Sequence, residues 1–133
     1  MLSEHQIQLI KHSWRHLRNV DPVIIGNVFY AKLFIDAPEV KRMFGNSQEE
    51  QSKKLIDMLS LLVARLDNIT LLTDDIKQLG QRHVDYGVKD KHYDYVGAAL
   101  IWTLKLALKN EWNIELENAW IDCYNLIANA MRS

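Results

Sequence analysis

The chain has 133 residues, of which 48% are hydrophobic and 25% charged. This length and composition are typical of one globular domain with a single core and exclude a disordered segment. Its formal net charge of −1 gives no general attraction to nucleic acid or to an anionic membrane. The single cysteine, Cys123, excludes an internal disulfide and a thiolate metal cluster.

The sequence contains no signal for export or membrane insertion. Its N-terminus, MLSEHQIQ, runs directly into a polar, capped helix pattern and lacks the apolar stretch of a signal peptide. The richest apolar stretch, residues 58–66, is interrupted by Ser60 and Arg65 and is too short to cross a bilayer. We therefore expect a cytoplasmic protein with neither a nucleic-acid nor a membrane partner.

Helix signals follow one another along the chain, and no alternating strand pattern is sustained. Ser3 and Gln6 resemble a capping box that opens a first helix. The pair Asp21 and Pro22 supplies an N-cap and a first-turn proline for a second helix, which runs to about Ile35.

The remaining segments continue the helical pattern. In chain order they are a short turn or helix over residues 36–46, a helix opened by a Ser47–Glu50 capping box and running to about Leu66, a helix over residues 73–84 stopped near Gly87, a long helix from Asp90 to about Lys109, and a last helix from Asn113. The sequence thus predicts an all-α fold, with residues 1–133 as one helical domain.

His83 lies on the apolar face of the helix predicted over residues 73–84. Ile76, Leu79 and His83 form one stripe at helical spacing. A neutral imidazole is the commonest side-chain metal ligand, so His83 is a candidate ligand. The alternative is a core histidine whose ring is satisfied by a backbone carbonyl.

Two other polar residues stand beside apolar neighbours. Tyr30 is flanked by apolar residues on the second helix, and Gln51 lies four residues before Leu55 on one helical face. Polar groups that face a ligating histidine across an apolar gap are typical of a cofactor pocket. Taken singly, Tyr30 can be a core residue with a hydrogen-bonded hydroxyl, and Gln51 a polar residue on the surface.

Several segments together resemble one family over essentially the full length of the chain. These segments are Phe29–Phe34, Pro38–Phe44, Leu79–His83 followed by Tyr86–Val88, His92–Gly97, and Ala119–Tyr124. They resemble the globin family, and the last two are similar to single-domain bacterial globins, to the globin domain of flavohaemoglobins and to neuroglobin.

The resemblance implies a globin fold packed around haem b, with His83 as the axial iron ligand. It also implies that Tyr30 and Gln51 donate hydrogen bonds to bound O2, which carries more negative charge than CO and gains more from such donors. The further haem contacts implied are Phe44, Lys54, Leu55, Met58, Leu59, Val88, Tyr93 and Val96. Lys54 either reaches a haem propionate or remains solvated.

Three functions are compatible with this resemblance. The first is reversible binding of O2, with NO and CO as further ligands, in a carrier or store that has no catalytic side chain. The second is an NO dioxygenase that depends on a separate reductase, since flavohaemoglobins continue into a reductase that we do not expect in this chain. The third is a helical interaction or sensor module without haem. The carboxylate that pairs with the proximal histidine and Tyr93 in flavohaemoglobins would fall just beyond Ser133, which favours O2 binding over peroxidase-like chemistry.

The other histidines and the tryptophans are expected to be structural. His5, His12 and His16 share the solvent face of the first helix, and a zinc site at His12 and His16 has no evident third ligand. His92 opens a helix and is expected to be exposed. Trp14, Trp102, Trp120 and Cys123 are expected in the core.

Overall fold

The computed structural model describes residues 2–17, 19–45 and 47–132, with backbone only at Leu71. Six α-helices follow in chain order: α1 (Glu4–Leu17), α2 (Pro22–Asp36), α3 (Gln48–Ala64), α4 (Thr73–Asp85), α5 (Asp90–Leu108) and α6 (Ile114–Arg132). Short 3-10 helices cover Pro38–Met43, Leu66–Leu72 and Lys109–Glu111. The described residues include no strand, so the all-α prediction is confirmed. No helix within these ranges is long and apolar enough to cross a membrane.

Two helices, α1 and α3, begin at the capping pairs that the sequence predicts. The backbone N–H of Gln6 donates to Ser3 Oγ at 3.1 Å, and the backbone N–H of Ser3 donates to Gln6 Oε1 at 3.0 Å. Ser47 Oγ accepts from the backbone N–H of Glu50 at 3.2 Å at the start of α3. Each cap satisfies a backbone donor that has no partner inside the helix. The predicted end of the segment before α3, at Asn46, lies outside the described residues.

His92 is buried, so the expectation that it is exposed is wrong. Only 3% of His92 is exposed, although it stands in the first turn of α5. The backbone N–H of Lys89 donates to its Nδ1 at 3.0 Å, which turns the ring back against the helix start. Lys89, and not Asp90, is therefore the N-cap residue of α5.

Trp102 is a second correction. The core prediction for this residue is wrong, because 47% of it is exposed on the outer face of α5. Lys32 Nζ lies 4.9 Å from its ring centroid, so the indole face is covered by a cation and not by apolar side chains.

The main core lies between α1, α2, α5 and α6. Trp14 and Trp120 are both buried and their ring centroids are 6.0 Å apart. Trp120 Nε1 donates to the buried Ser13 Oγ at 3.0 Å, which satisfies the indole N–H inside the core. Cys123 is also buried, as expected.

Two glycines allow helices to pack closely. A Cβ on Gly26 of α2 would lie 1.9 Å from Ser52 Oγ of α3. A Cβ on Gly80 of α4 would lie 2.0 Å from the main-chain oxygen of Met131 of α6. Larger side chains at either glycine would force the helices apart. These two contacts fix α2 against α3 and α4 against α6.

Candidate functional site

The α2–α3 contact brings Tyr30 and Gln51 together. Tyr30 follows Gly26 by one helical turn, and Gln51 precedes Ser52, so both flank the close approach of the two helices. The Tyr30 hydroxyl donates to the main-chain oxygen of Gln51 at 3.3 Å. A cavity of about 190 Å³ lies beside them and is lined by Tyr30, Phe34, Lys41, Phe44, Gln48 and Gln51.

Aromatic rings surround Tyr30. The Phe34 ring stacks on it at 5.7 Å, and the Phe44 and Phe29 rings meet it edge-on at 5.3 and 5.0 Å. Phe44 reaches this cluster because the Pro38–Met43 3-10 helix packs against α2 and returns the chain towards it. These rings hold the phenol in place and make the wall of the cavity around it apolar.

Burial in this cluster keeps Tyr30 protonated. Only 4% of the residue is exposed, and desolvation raises the pKa of its hydroxyl from 10.0 to about 12. Removal of water disfavours the charged phenolate, so the group is a hydrogen-bond donor throughout the physiological pH range.

His83 presents one ring nitrogen with a free lone pair. Its Nδ1 lies 2.7 Å from the main-chain oxygen of Leu79, one turn earlier on α4. Because a carbonyl oxygen only accepts, the ring proton must be on Nδ1, and Nε2 carries the lone pair. The Leu79 carbonyl is the partner expected if His83 is only a core histidine. It occupies Nδ1 alone, so Nε2 can still bind a metal.

The other residues implied by the resemblance lie along α3 and around the α4–α5 connection. Leu55, Met58, Leu59, Val88 and Val96 are half-buried, Tyr93 is buried and Lys54 is exposed. Among the described residues, neither these nor His83 line the cavity beside Tyr30. The structure therefore unites Tyr30, Phe44 and Gln51 around one cavity and places His83 on a separate helix.

Tyr93 is held from two sides. Its main-chain oxygen accepts from the Tyr124 hydroxyl at 2.6 Å, and the Arg132 guanidinium lies 4.8 Å from its ring centroid. Desolvation raises the pKa of its hydroxyl, and the positive charge of Arg132 opposes this shift in part. The cation stabilises the ring face electrostatically.

Three residues that line the cavity beside Tyr30 are missing from the sequence prediction: Phe34, Lys41 and Gln48. Helical spacing contained the signal for two of them. Phe34 lies four residues after Tyr30, and Gln48 lies three residues before Gln51, so each shares a face with a predicted site residue. Lys41 is in a 3-10 helix whose register the sequence pattern does not fix.

The histidines of α1 lie at the surface. His12 and His16 have ring centroids 5.1 Å apart, and His16 Nε2 faces Glu111 at 3.4 Å. His5 Nε2 faces Glu115 at 3.0 Å. Across residues 2–17, 19–45 and 47–132, no three His, Cys, Asp or Glu side chains cluster as metal ligands would.

Comparison with known proteins identifies the family of this chain and agrees with its all-α fold. The family model described as Globin matches residues 27–131. The chain is 26% identical over 131 residues to a flavohemoprotein of Vibrio cholerae, covering 96% of this chain and 33% of that protein. It spans about a third of the length of this relative.

Two solved structures share the fold. One is an engineered carbene transferase built on a candidate nitric oxide dioxygenase from Rhodothermus marinus, with a TM-score of 0.84 and 29% identity over 97% of this chain and 89% of that one. The other is a bacterial globin from Campylobacter jejuni, with a TM-score of 0.79 and 32% identity over 96% of this chain and 91% of that one.

Proposed function

Because this chain belongs to the globin family, we propose that it is a haem protein that reversibly binds O2, with NO and CO as further ligands. The observation that carries this proposal is the buried Tyr30 hydroxyl beside Gln51 at the wall of a cavity of about 190 Å³. The cavity has room for a small molecule beside the Tyr30 hydroxyl.

The residues present fit a haem. His83 offers the lone pair of Nε2, because Leu79 holds the ring proton on Nδ1. The apolar side chains that would contact a porphyrin are only half-buried against the protein and retain surface for a flat apolar group: Phe44, Leu55, Met58, Leu59, Val88 and Val96. Tyr93 adds a buried ring at the start of α5. Haem b suits a chain whose one cysteine is buried in α6, because thioether attachment requires a Cys-x-x-Cys-His motif.

Haem iron would supply the open coordination position at which a diatomic gas binds reversibly. The protein then determines which gas is held and for how long. The Tyr30 O–H and the Gln51 amide N–H donate hydrogen bonds to the bound gas, and the aromatic rings around Tyr30 exclude water from it. Hydrogen bonds favour O2 over CO, because O2 draws more negative charge onto its outer atom.

A second function is favoured by similarity to the flavohemoprotein and to the candidate nitric oxide dioxygenase. In this role NO, O2 and one electron are consumed and nitrate is formed. The electron would come from a separate reductase that returns ferric iron to ferrous. Tyr30 and Gln51 would act as before, by retaining O2 until NO arrives.

Absorption spectra and NO consumption together test these functions. The purified protein, reduced and exposed to O2, should show a haem spectrum that shifts reversibly when O2 is removed. Sustained NO consumption with NADH and an added reductase, at rates well above those of haem in solution, would establish the dioxygenase. Purified protein that holds no haem and takes up none would reject both functions and leave a helical module.

A further inference from the structure

A second cavity contains a buried hydrogen-bond donor. His92 is 3% exposed, and its Nδ1 accepts from the backbone N–H of Lys89 at 3.0 Å. The ring proton is therefore on Nε2. Within the described ranges, His92 Nε2 is the one buried side-chain nitrogen or oxygen without a hydrogen-bond partner. A buried N–H needs an acceptor, so a ligand that fits against His92 must offer an oxygen atom that accepts a hydrogen bond.

The cavity in front of His92 is large and carries excess positive charge. Its volume is about 420 Å³, and it is lined by Glu39, Arg42, Met43, Gly87, Lys89, Lys91 and His92. Three of these residues are cationic and one is a carboxylate. The N-terminus of α5, a helix of 19 residues, opens at the same place and adds the positive end of its dipole.

Glu39 does not satisfy His92. Its Oε1 lies 3.7 Å from His92 Nε2, which is too long for a hydrogen bond. The Glu39 side chain is 38% exposed, so it can turn into solvent and leave the imidazole N–H to another acceptor. The Glu39 carboxylate therefore competes with an entering anion for the His92 N–H.

We propose that this cavity is an oxyanion-binding site. A carboxylate or phosphate accepts from His92 Nε2–H at the buried end, Arg42 binds it through two parallel N–H groups, and Lys89 and Lys91 attract it electrostatically. The ligand that we assign is a free small anion, and a carboxylate of the proposed haem is the competing occupant that the test must distinguish from it. The site does not require the proposed iron ligation, because none of its residues belongs to the Tyr30 cavity or is His83.

Isothermal titration calorimetry with inorganic phosphate tests the site. His92→Asn keeps an acceptor for the Lys89 N–H but removes the inner donor, and Arg42→Gln removes the planar cation. Each should weaken phosphate binding by about tenfold, as expected for a charge-assisted hydrogen bond. Glu39→Gln should strengthen binding, because it removes the competing carboxylate. The control Lys105→Gln, at the exposed far end of α5, should leave the affinity unchanged within about twofold.

Two preparations distinguish the sources of the oxyanion. The protein is loaded with haem, or with haem dimethyl ester, whose carboxylates are blocked. Phosphate binding in both identifies a free anion as the ligand. Binding only in the ester-loaded protein, together with faster loss of haem but not of the ester from His92→Asn, identifies the haem carboxylate as the occupant and overturns the assignment of a free-anion site. Because calorimetry detects the heat of phosphate binding and needs no haem signal, the same titration is repeated on protein without haem. No phosphate binding in any preparation, or equal affinity in Glu39→Gln, His92→Asn and wild type, overturns the proposal.

Discussion

The Tyr30 hydroxyl donates to the main-chain oxygen of Gln51 at 3.3 Å and thereby ties α2 to the first turn of α3. A hydroxyl has only one proton to donate, so Tyr30 cannot donate to the Gln51 carbonyl and to a bound gas at the same time. When Tyr30 turns towards a bound gas it gives up the Gln51 carbonyl. The net gain is the difference between two hydrogen bonds and is smaller than one new bond.

Tyr30→Phe should therefore speed release of O2 by only about two- to threefold, corresponding to roughly 0.5 kcal/mol, the lower end of the range for one net hydrogen bond. Release of CO should change much less, because CO gains little from a donor. Stopped-flow displacement of each gas measures both rates. Tyr95→Phe, at a half-buried tyrosine of α5 outside the lining of the Tyr30 cavity, is the matched control. Equal acceleration of both gases would mean that Tyr30 acts through the size of the pocket.

Gly26→Ala should disturb the same pair indirectly. The added Cβ would lie 1.9 Å from Ser52 Oγ, and Ser52 is fully buried, so α2 and α3 must separate. We expect a loss of about 1–3 kcal/mol in the free energy of unfolding. Urea denaturation measures it. Gly45→Ala is the control, because a Cβ there meets nothing within 4 Å. If Gly26→Ala is as stable as Gly45→Ala, the close packing of α2 on α3 is incorrect.

The sequence predicts most of the fold because its signals are local. Capping pairs such as Ser47 and Glu50, and apolar faces with helical spacing, are properties of one segment. The same logic places Tyr30 and Gln51 on inward faces. It does not predict their mutual hydrogen bond, which depends on Gly26 meeting Ser52 from a different helix. A glycine within a helix pattern does not identify the residue it will approach.

The two wrong burial predictions have physical reasons of their own. The position of His92 at a helix start predicts exposure to solvent, yet its side chain turns back to cap the Lys89 N–H and so enters the protein. The core prediction for Trp102 fails because the residue lies on the face of α5 that Lys32 covers. Amphipathic side chains such as Trp102 are often half-exposed, and composition alone does not assign their face.

His83→Ala should remove the haem. A cofactor bound only to the folded state stabilises that state, so the variant should also have a lower Tm than the haem-loaded wild type. The ratio of haem absorbance to protein absorbance and a thermal melt measure the two effects. His12→Ala changes an exposed histidine of α1 and serves as the control. A wild-type ferrous spectrum in His83→Ala would mean that another residue, and not His83, binds the iron.

Cys123 should react slowly and should make the fold sensitive to alkali. Burial raises the pKa of its thiol from 9.0 to about 12, so the folded state favours the neutral form. Its contribution to the free energy of unfolding is complete below about pH 9 and is lost as the pH rises towards about 12. Urea denaturation across this range should show a steeper loss in wild type than in Cys123→Ala. Labelling of the native thiol as fast as in urea-unfolded protein would contradict this burial.

The ferrous protein should be five-coordinate, with its sixth position open to gas. Among the described residues that line the Tyr30 cavity there is no histidine, and the amide of Gln51 and the phenol of Tyr30 are weak ligands for ferrous iron. Two lysines are the other candidate ligands. Lys41 lines the cavity and Lys54 lies about one turn after Gln51 on α3, and both residues are exposed. Either amine would have to lose its proton and its hydration to bind iron, which is unfavourable at neutral pH.

The ferrous spectrum without O2 tests this open position. One broad high-spin band in the visible region is expected for wild type and for Lys41→Gln alike. Gln51→His places an imidazole at the wall of the cavity and should convert the spectrum to sharp, split low-spin bands, which provides the positive control. Split bands in wild type that disappear in Lys41→Gln or Lys54→Gln would show that a lysine closes the iron. Oxygen binding would then have to wait for that amine to dissociate, and the association rate would become independent of O2 concentration at high O2.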